Sequence, residues 1–526
     1  MDANRRAAAR TAASDYVVTE SPLGTARKLR VLMVGAGASG LNLARHMDLH
    51  MENFELTIYE KNSDVGGTWF ENSYSEWDEI LEYFRGIAQK YELYKYIKLS
   101  HKLTSASWDE ASGVWNVECL DLSTGNTVHD WGHVLINGTG VLNNWKWPNV
   151  PGLHSFKGDL FHSATWDPEY QVAEKTVAVL GTGSSGIQIV ATLQPLTEEQ
   201  KTNFKKNPDA YMKYRKEIEG ELNSRFRFVI SDSADQKEAR EYSSNEMRVK
   251  LKDEDILNYL MPKNFAVGCR RPTPGNGYLE ALTKDNVRVV TNVIEEIVPD
   301  GIRLTNGEII PVDVFVCATG FDLSFCPRFK LIGRDGESID EKWKDVPEAY
   351  LSVAVPGFPN YFSEPFVSIG GLVRCDRALT IVVFLGPNAP VGHGSVLPII
   401  EHATKYIINM MKKIQSQNIK AVSPSAKAVD DFNQHITEFM KRTAWATPCR
   451  SWFKRGTVDG RIVALHPGSR IHWFHMMSHV RYEDWEYTYH SENRFQYLGN
   501  GFSTKEGPGK DTTWYFEAPE EGYEDY

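Results

Sequence analysis

Residues 28–40 read KLRVLMVGAGASG, and this stretch decides the fold. A short apolar, β-branched run ends in Gly35, and a helical pattern, LNLARHM, follows Gly37 and Gly40. A second apolar run, FELTIYE, ends in Glu60, 20 residues after Gly40. Strand, glycine-rich turn, helix, strand and acid in this order predict a dinucleotide-binding β-α-β unit.

Each of these positions has a physical purpose. Gly35 permits the tight turn, Gly37 lets the backbone approach a pyrophosphate, and Gly40 lets helix and strand pack closely. The helix N-terminus offers unpaired N–H groups to phosphate oxygens. Glu60 would accept hydrogen bonds from ribose hydroxyls. We therefore predict that these four residues bind a dinucleotide; the alternative is a glycine-rich turn without a ligand.

The residues that follow Glu60 favour a flavin as the bound ligand. Residues 62–69 read NSDVGGTW, and two adjacent glycines let the chain run close beneath a large flat ring system. This pattern is typical of flavoproteins, so we predict that Gly67, Thr68 and Trp69 contact FAD. Strands that end in GTG at residues 138–140 and in ATG at residues 318–320 are typical of two-dinucleotide flavoproteins where the chain passes between domains.

A second glycine loop lies 146 residues after the first. Residues 175–186 read KTVAVLGTGSSG, again a strand that leads into a glycine-rich turn and a helix. One loop would hold FAD and the other the nicotinamide cofactor that reduces it. The predicted contacts of the second loop are Gly181, Thr182, Gly183, Ser184 and Gly186.

Composition excludes several classes of function. The chain of 526 residues is 41% hydrophobic and has a net charge of −11, so we expect a globular protein that does not bind nucleic acid. Its six cysteines are too few for a disulfide scaffold and form no CxxC pair, which predicts a reducing compartment, no metal site and no dithiol flavin reductase.

No apolar run is long enough to span a membrane. Residues 1–15 lack the apolar core of a secretory signal, and their two acidic residues weigh against a mitochondrial presequence. We therefore predict a disordered arm over residues 1–27 and a cytoplasmic protein.

Just ahead of the second loop, residues 156–167 read FKGDLFHSATWD. This resembles the FxGxxxHxxxW(P/D) fingerprint of Baeyer–Villiger-type flavin monooxygenases, in which the segment links the FAD and NADPH domains and couples their motion. The alternative is a linker without this function, in which a surface histidine already has its hydrogen-bond partners. The matching residues are Phe156, Gly158, His162, Trp166 and Asp167.

The resemblance covers most of the chain. Stretches such as GGTWFENSY, GTGSSGIQIV and LGPNAPVGHGS are similar to fungal monooxygenases of polyketide mycotoxin pathways, and most of all to the versicolorone-cleaving type of aflatoxin and dothistromin-like pathways. The resemblance implies FAD and NADP as cofactors, with O₂ and an aromatic polyketide ketone as substrates. An N- or S-hydroxylase of the same flavin class and a catalytically impaired flavin-binding protein are the alternatives.

The resemblance also assigns residues to the chemistry. CRRP at residues 269–272 matches a segment in which Arg271 would be the catalytic cation that stabilises the anionic oxygenating species, and Arg270 would contact NADP. Trp452, in the stretch SWF, would hydrogen-bond the nicotinamide cofactor, with core packing as the alternative. Asn388, in GPNAP, would approach the pyrimidine edge of the flavin.

The chain departs from the family in three places. After Tyr74 it lacks a segment that carries a buried Asp partner of the catalytic Arg. After Pro195 it lacks the second strand of the nucleotide unit, and Ser363 to Val383 is an extra segment. Mispredicted exon boundaries would explain all three, as would divergence with loss of activity. Sequencing the transcript separates these hypotheses.

Together these patterns predict an α/β fold with two three-layer, Rossmann-like dinucleotide-binding domains, the NADP domain being inserted in the FAD domain. We expect the first part of the FAD domain at 28–150 and the NADP domain at 151–345, with a helical insert at about 196–264. The second part of the FAD domain, at 346–526, would also cover the substrate cleft.

Overall fold

The computed structural model describes residues 16–71, 77–140, 145–165, 170–181, 183, 187, 207–270, 277–363, 374–375, 378–379 and 386–516. Its strands are β1 (Leu29–Val34), β2 (Phe54–Tyr59), β3 (Ile97–Lys98), β4 (His101–Asp109), β5 (Val114–Asp121), β6 (Thr127–Gly132), β7 (Val134–Asn137), β8 (Asp159–His162), β9 (Val177–Leu180), β10 (Ile294–Val298), β11 (Gly301–Leu304), β12 (Ile309–Pro311), β13 (Val314–Cys317), β14 (Lys330–Ile332), β15 (Tyr361–Ser363), β16 (Arg374–Cys375), β17 (Ala378–Leu379), β18 (Ile419–Pro424) and β19 (Trp485–Tyr489). Its helices are α1 (Ala38–His50), α2 (Thr68–Glu71), α3 (Trp77–Lys90), α4 (Pro208–Ser224), α5 (Ala234–Lys250), α6 (Glu254–Leu260), α7 (Tyr278–Ala281), α8 (Ile339–Lys342), α9 (Leu397–Ser416), α10 (Ala426–Met440) and α11 (Arg470–Met477).

The first unit is built on a parallel sheet with the strand order β15-β7-β1-β2-β3. The central strand β1 is apolar along its whole length because both of its faces are covered, as is usual for parallel sheets. Since β15 follows the second unit in the sequence but pairs with β7, the second unit is inserted into the first.

Two layers cover this sheet. On one side the glycine of α1, Gly40, approaches Ile58 of β2, and α1 packs against α9, where Asn42 donates a hydrogen bond of 2.8 Å to Thr404. On the other side Gly132 of the antiparallel β4-β5-β6 meander packs on Leu32 of β1. The first unit is therefore a three-layer nucleotide-binding domain.

The second unit has its own sheet and its own core. Strands β8, β13 and β9 form a parallel sheet in that order, and β10 to β12 form an antiparallel one. The core between them is separate from the larger one and contains Leu153, Ile297, Ile302, Leu304, Val312, Phe315 and Cys317. Within the described residues β9 is an edge strand, and the sequence likewise shows no strand directly after the second loop.

A helical segment follows the second loop, as the sequence predicts. It comprises α4, α5 and α6, and the turn between α4 and α5 packs into the larger core through Val229. The backbone N–H of Ser231 donates to Arg442 at 3.1 Å, and Ile230 forms a bridge with Thr443. This segment therefore touches the C-terminal part of the first unit, and its assignment to the NADP domain stays a prediction.

The chain's described N-terminal end is held by its C-terminal end. The N–H of Leu23 donates to Phe502 at 2.7 Å, and Arg27 donates to the carbonyl of Ile419 at 2.8 Å. The predicted arm of residues 1–27 thus includes a segment that packs on the folded chain, while residues 1–15 lie outside the described residues. The α/β class with two nucleotide-binding units, one inserted in the other, is confirmed.

Candidate functional site

The first glycine loop joins β1 to α1. Gly35 has a φ of +102°, and a Cβ atom there would lie 2.5 Å from the carbonyl oxygen of Gly138. A Cβ on Gly40 would overlap the carbonyl oxygen of Gly35, so both positions require glycine. Gly37 is the N-cap of α1 and makes no capping bond with a side chain. The first-turn N–H groups are thus placed to attract phosphate oxygens.

Glu60 lies directly after β2 and is 4% exposed. One carboxylate oxygen, Oε2, accepts the N–H of Ala36 at 2.7 Å, and the other, Oε1, accepts the N–H of Asn62 at 2.9 Å. These bonds fix the glycine loop to the end of β2. A carboxylate oxygen can accept more than one hydrogen bond, so holding the loop does not by itself prevent Glu60 from accepting from a ligand.

A cavity of about 880 Å³ opens at this end of the sheet, and Gly35, Glu60, Gly67 and Thr68 all line it. The hydroxyl of Thr68 is buried and has no hydrogen-bond partner within the described part of the chain. A buried, unpartnered hydroxyl beside two glycines and a carboxylate fits a polar dinucleotide. The neighbouring Trp69 is 2% exposed and packs in the larger core, so its predicted cofactor contact stays a prediction.

The lining of the cavity also contains residues that the sequence analysis missed. Lys102 and Thr104 come from β4, where the pairing with β5 shifts by one residue between Leu103 and Ser105. Arg328 comes from the loop before β14 and donates a 3.0 Å hydrogen bond to Asp322. No local motif marks Lys102, Thr104 or Arg328, because only the packing of the meander against the parallel sheet brings them to the glycine loop.

The second glycine loop follows β9. Gly181 has a φ of +131°, and a Cβ atom there would overlap the carbonyl oxygen of Ala318. Gly183 is exposed, and its carbonyl accepts the N–H of Ile187 at 3.0 Å. Three predicted contacts lie outside the described residues: Thr182, Ser184 and Gly186.

The fingerprint of residues 156–167 forms β8 and its flanks. A Cβ on Gly158 would overlap the carbonyl oxygen of Asp313 and lie 2.7 Å from the ring of Phe156. Phe156 packs edge-on against Phe315 of β13 in the second core, with ring centroids 6.3 Å apart. Phe156 and Gly158 therefore seat β8 on β13. Trp166 and Asp167 lie outside the described residues.

His162 ends β8 and is fully buried. Its ring stacks on Trp145 at 4.4 Å with an interplanar angle of 9°, and its Nδ1 accepts the N–H of Ala164 at 3.2 Å. Trp145 in turn bridges to Phe321, so His162 lies beneath the two stretches of chain that connect the units. Burial lowers the pKa of His162 to about 4, which keeps the ring neutral.

The cysteine-arginine segment contains the two predicted cations. Arg270 is exposed, while Arg271 lies outside the described residues. The preceding residue, Cys269, forms a disulfide bond with Cys449 across 180 residues of sequence. The cysteine count did not predict this bond, because two cysteines so far apart in the chain have no pattern that pairs them.

Cys449 leads into the segment of Trp452. The hydroxyl of Ser451 accepts the N–H of Phe453 at 3.2 Å and begins a short helix over Trp452–Lys454. Trp452 is partly buried and packs on the ring of Phe453 at 4.5 Å. This position is compatible with core packing and with a cofactor contact, so the predicted role of Trp452 stays a prediction.

Asn388 holds a turn of the backbone. It has a φ of +64° and is 3% exposed. Its N–H donates to Val463 at 2.8 Å and its side-chain Nδ2 donates to the carbonyl of Leu465 at 3.2 Å. The amide nitrogen is therefore occupied by the protein, and an approach to the flavin would use other atoms of the turn.

Two kinds of feature are absent from the described ranges. No group of three or more His, Cys, Asp or Glu side chains there is arranged to hold a metal ion. None of the helices in those ranges combines the length and the apolar character that crossing a membrane needs.

Known proteins match this chain along most of its length. The family described as "Flavin-binding monooxygenase-like" matches residues 70–383, and an NAD(P)-binding Rossmann-like domain matches residues 33–91. The FAD-binding monooxygenase tazF of Aspergillus terreus is 36% identical over 91% of this chain and 93% of its own length. The FAD-binding monooxygenase moxY of Dothistroma septosporum is 34% identical over 92% of this chain and 83% of its own length.

A solved structure of the OTEMO complex with FAD and NADP has a TM-score of 0.71 and 20% identity, covering 88% of this chain and 99% of its own, which supports the fold. The family model spans the cavity residues Lys102, Thr104 and Arg328 and the cysteine-arginine segment, whereas the glycine loop and Glu60 lie in the part matched by the Rossmann-like domain. The sequence resemblance is thus confirmed: the chain belongs to the flavin-binding monooxygenase-like family and is a relative of fungal FAD-binding monooxygenases.

Proposed function

We propose that this protein inserts one oxygen atom beside the carbonyl group of an aromatic polyketide ketone, as a step in the biosynthesis of a mycotoxin-like secondary metabolite. The reaction consumes a ketone, O₂, NADPH and a proton, and it yields an ester, NADP⁺ and water. The substrate class is supported by the relatives of fungal origin, tazF and moxY, and by the resemblance of this chain to versicolorone-cleaving enzymes.

The enzyme class is broader than this substrate. The chain is an NADPH-dependent flavin monooxygenase of Baeyer–Villiger type, with FAD and NADP as its cofactors. A Baeyer–Villiger monooxygenase of Pseudomonas aeruginosa is 27% identical to it over 86% of this chain and 90% of its own length.

FAD fits the residues present in the first cavity. The glycine loop leaves room for the pyrophosphate, Glu60 offers carboxylate oxygens to the ribose, and the buried Thr68 hydroxyl lacks a partner among the described residues. We assign this cavity to the adenosine diphosphate half of FAD. When bound, FAD supplies the electron transfer and the activation of O₂ that no protein side chain provides.

Charge and water exclusion are the protein's own contributions. We propose that Arg271 is the permanent cation that stabilises negative charge on the reacting oxygen atoms. Arg270 would assist NADP binding, and Gly181 and Gly183 would let the backbone approach its phosphates. A site closed to water favours the ester over loss of H₂O₂.

The observation that carries the proposal is the cavity, in which the glycine loop, Glu60 and Thr68 meet in a member of a flavin monooxygenase family. The purified protein should be yellow and should oxidise NADPH in the presence of an anthraquinone ketone. Mass spectrometry should find a product heavier by one oxygen that alkaline hydrolysis cleaves as an ester. An N- or S-oxide would instead identify a heteroatom hydroxylase.

Arg271→Ala should lower ester formation by about 10²–10³-fold, the usual effect of losing one charge-stabilising group. Arg248→Ala, on the exposed face of α5, is the matched control and should retain full turnover. A yellow protein that never oxidises NADPH would contradict the catalytic assignment and favour an impaired flavin-binding protein.

A further inference from the structure

The disulfide between Cys269 and Cys449 joins two segments that the proposed chemistry needs together. Cys269 directly precedes Arg270 and Arg271, and Cys449 lies two residues before Ser451, which begins the turn of Trp452. Both cysteines are buried, at 1% and 3% exposed, and Cys269 lies next to the exposed Arg270, so reagents reach the sulfurs when this segment moves locally. Their Cα atoms are 6.5 Å apart, within the range that a disulfide spans without backbone movement.

Other contacts would keep the two cysteines close if the bond were broken. The N–H of Ala266 donates to the hydroxyl of Thr447 at 3.2 Å. Gln236 donates to the carbonyl of Val267 at 2.9 Å and accepts the N–H of the same residue at 3.1 Å. Because these contacts hold the 266–269 segment in place, the bond can open and close again without unfolding of the chain.

We infer that the Cys269–Cys449 pair is a redox-controlled cross-link that holds the segment of Cys269 and Arg270 against the Trp452 segment. The oxidised form is the well-coupled enzyme, in which little NADPH is consumed without product. This inference rests on the proposed function for the roles of Arg271 and Trp452. In a reducing compartment such as the cytoplasm predicted from the sequence, disulfides are usually transient and act in redox sensing.

A peroxide and a dithiol can interconvert the reduced and oxidised forms of the Cys269–Cys449 pair in balanced reactions. Hydrogen peroxide, the by-product of a flavin monooxygenase that loses its activated oxygen, oxidises the two thiols: an S–S bond forms, the O–O bond breaks, and two waters leave. A cellular dithiol reverses this by two successive exchanges through a mixed disulfide and itself becomes a disulfide. When activated oxygen is lost without forming product, the released H₂O₂ is thus the oxidant that restores the cross-link.

Three other described thiols, Cys119, Cys317 and Cys326, form no disulfide bond. Cys119 and Cys317 are buried, and burial raises the pKa of each thiol to about 12. Burial also raises the pKa of the partly buried Cys326 to about 11. Because Cys326 forms no cross-link, Cys326→Ser is a suitable control.

The first test is thiol mapping of the full-length holoenzyme. Protein treated with hydrogen peroxide or with dithiothreitol is blocked with two different alkylating reagents and digested for mass spectrometry. We expect a linked 269–449 peptide after peroxide and two free thiols after dithiothreitol. Free thiols at both positions after peroxide would overturn the inference, whatever the enzyme's activity.

The second test is hydrogen exchange, which does not depend on turnover. Reduction should increase amide exchange in residues 266–270 and 449–454 and leave α9 unchanged. Identical exchange in the two redox states would refute the cross-link's role in holding the segments. Hydrogen exchange needs no ketone substrate. A negative result in this test therefore contradicts the cross-link inference alone and leaves the proposed function untouched.

The third test measures coupling as H₂O₂ released per NADPH oxidised. Reduced wild-type enzyme and the double variant Cys269→Ser/Cys449→Ser should release several-fold more H₂O₂ than oxidised wild type, and the double variant should no longer respond to dithiothreitol. Cys326→Ser should respond as wild type does. Equal coupling in the oxidised and reduced wild type, which needs no variant to fold, would contradict the inference.

Discussion

At the scale of single residues, the first glycine loop is limited by space. Gly35 combines a positive φ with a close backbone neighbour, the carbonyl of Gly138, so any side chain there must move the main chain. Glu60 adds a second constraint because it holds both the loop and the chain after β2 through its two oxygens. These residues therefore shape the loop, and in the proposed function they also contact FAD.

Gly35→Ala should abolish FAD binding, because the loop must shift away from the position that a pyrophosphate needs. The ratio of flavin absorbance to protein absorbance after purification measures this. Gly220→Ala is the control: it lies in α4 with open space around it, and it should stabilise the helix by about 0.5–1 kcal/mol. Full flavin content in Gly35→Ala would show that the loop is not the site.

His162 should make the protein less stable in acid. Its pKa is lowered from 6.5 to about 4 by burial, so between these values the unfolded chain binds a proton that the folded chain does not. Its contribution to stability is therefore complete above pH 6.5 and is lost as the pH falls towards 4.

Urea unfolding at several pH values measures this contribution. The advantage of wild type over His162→Phe should be largest near neutral pH and should shrink as the solution becomes more acidic. His129→Phe provides the comparison, since that side chain is 73% exposed and meets water in both states. A pH-independent difference for His162→Phe would mean that packing alone explains its stability effect.

At the scale of elements, one buried ion pair joins the helical segment to the C-terminal part of the chain. Arg470, the first residue of α11, is 1% exposed and donates to Glu219 and, at 3.0 Å, to Asn223, both on α4. It also donates to the carbonyl of Ser395, just before α9. Through one guanidinium, α4 is fixed to the turn that leads into α9.

Glu219→Gln should destabilise the protein by about 1–3 kcal/mol, because it leaves the charge of Arg470 buried with weaker partners. Glu221→Gln is the matched control on the same helix, since its pair with Arg225 is exposed and worth about 0–1 kcal/mol. Thermal unfolding measures both. Equal decreases in melting temperature for the two variants would show that the Arg470–Glu219 pair contributes no more to stability than the exposed pair.

At the scale of the whole molecule, the first cavity lies between the parallel sheet and its antiparallel meander. Gly35, Glu60, Lys102 and Arg328 all line it, and the proposed function assigns it to the adenosine diphosphate half of FAD. Ligand affinity should therefore depend mainly on that half. The isoalloxazine half would meet segments that include Arg271, beyond the described residues.

ADP and FAD should both raise the melting temperature of flavin-free protein, whereas FMN, which lacks the adenylate, should have little effect. A ligand present at 100 times its dissociation constant stabilises the folded state by about 2.7 kcal/mol. ADP should also compete with FAD for binding. If FMN stabilised the protein as much as FAD does, the adenosine diphosphate half would not be the part of FAD on which binding mainly depends.

The sequence by itself determined the parts that depend on neighbours along the chain. Strand, glycine turn, helix and acid follow one another locally, so the β-α-β unit, the second loop and the α/β class could be read from KLRVLMVGAGASG, FELTIYE and KTVAVLGTGSSG. Only the tertiary structure brought Lys102 and Arg328 to the cavity, paired Cys269 with Cys449, and buried Arg470 against Glu219. These contacts join residues far apart in the chain, and no local spacing encodes them, because packing between elements decides which distant side chains meet.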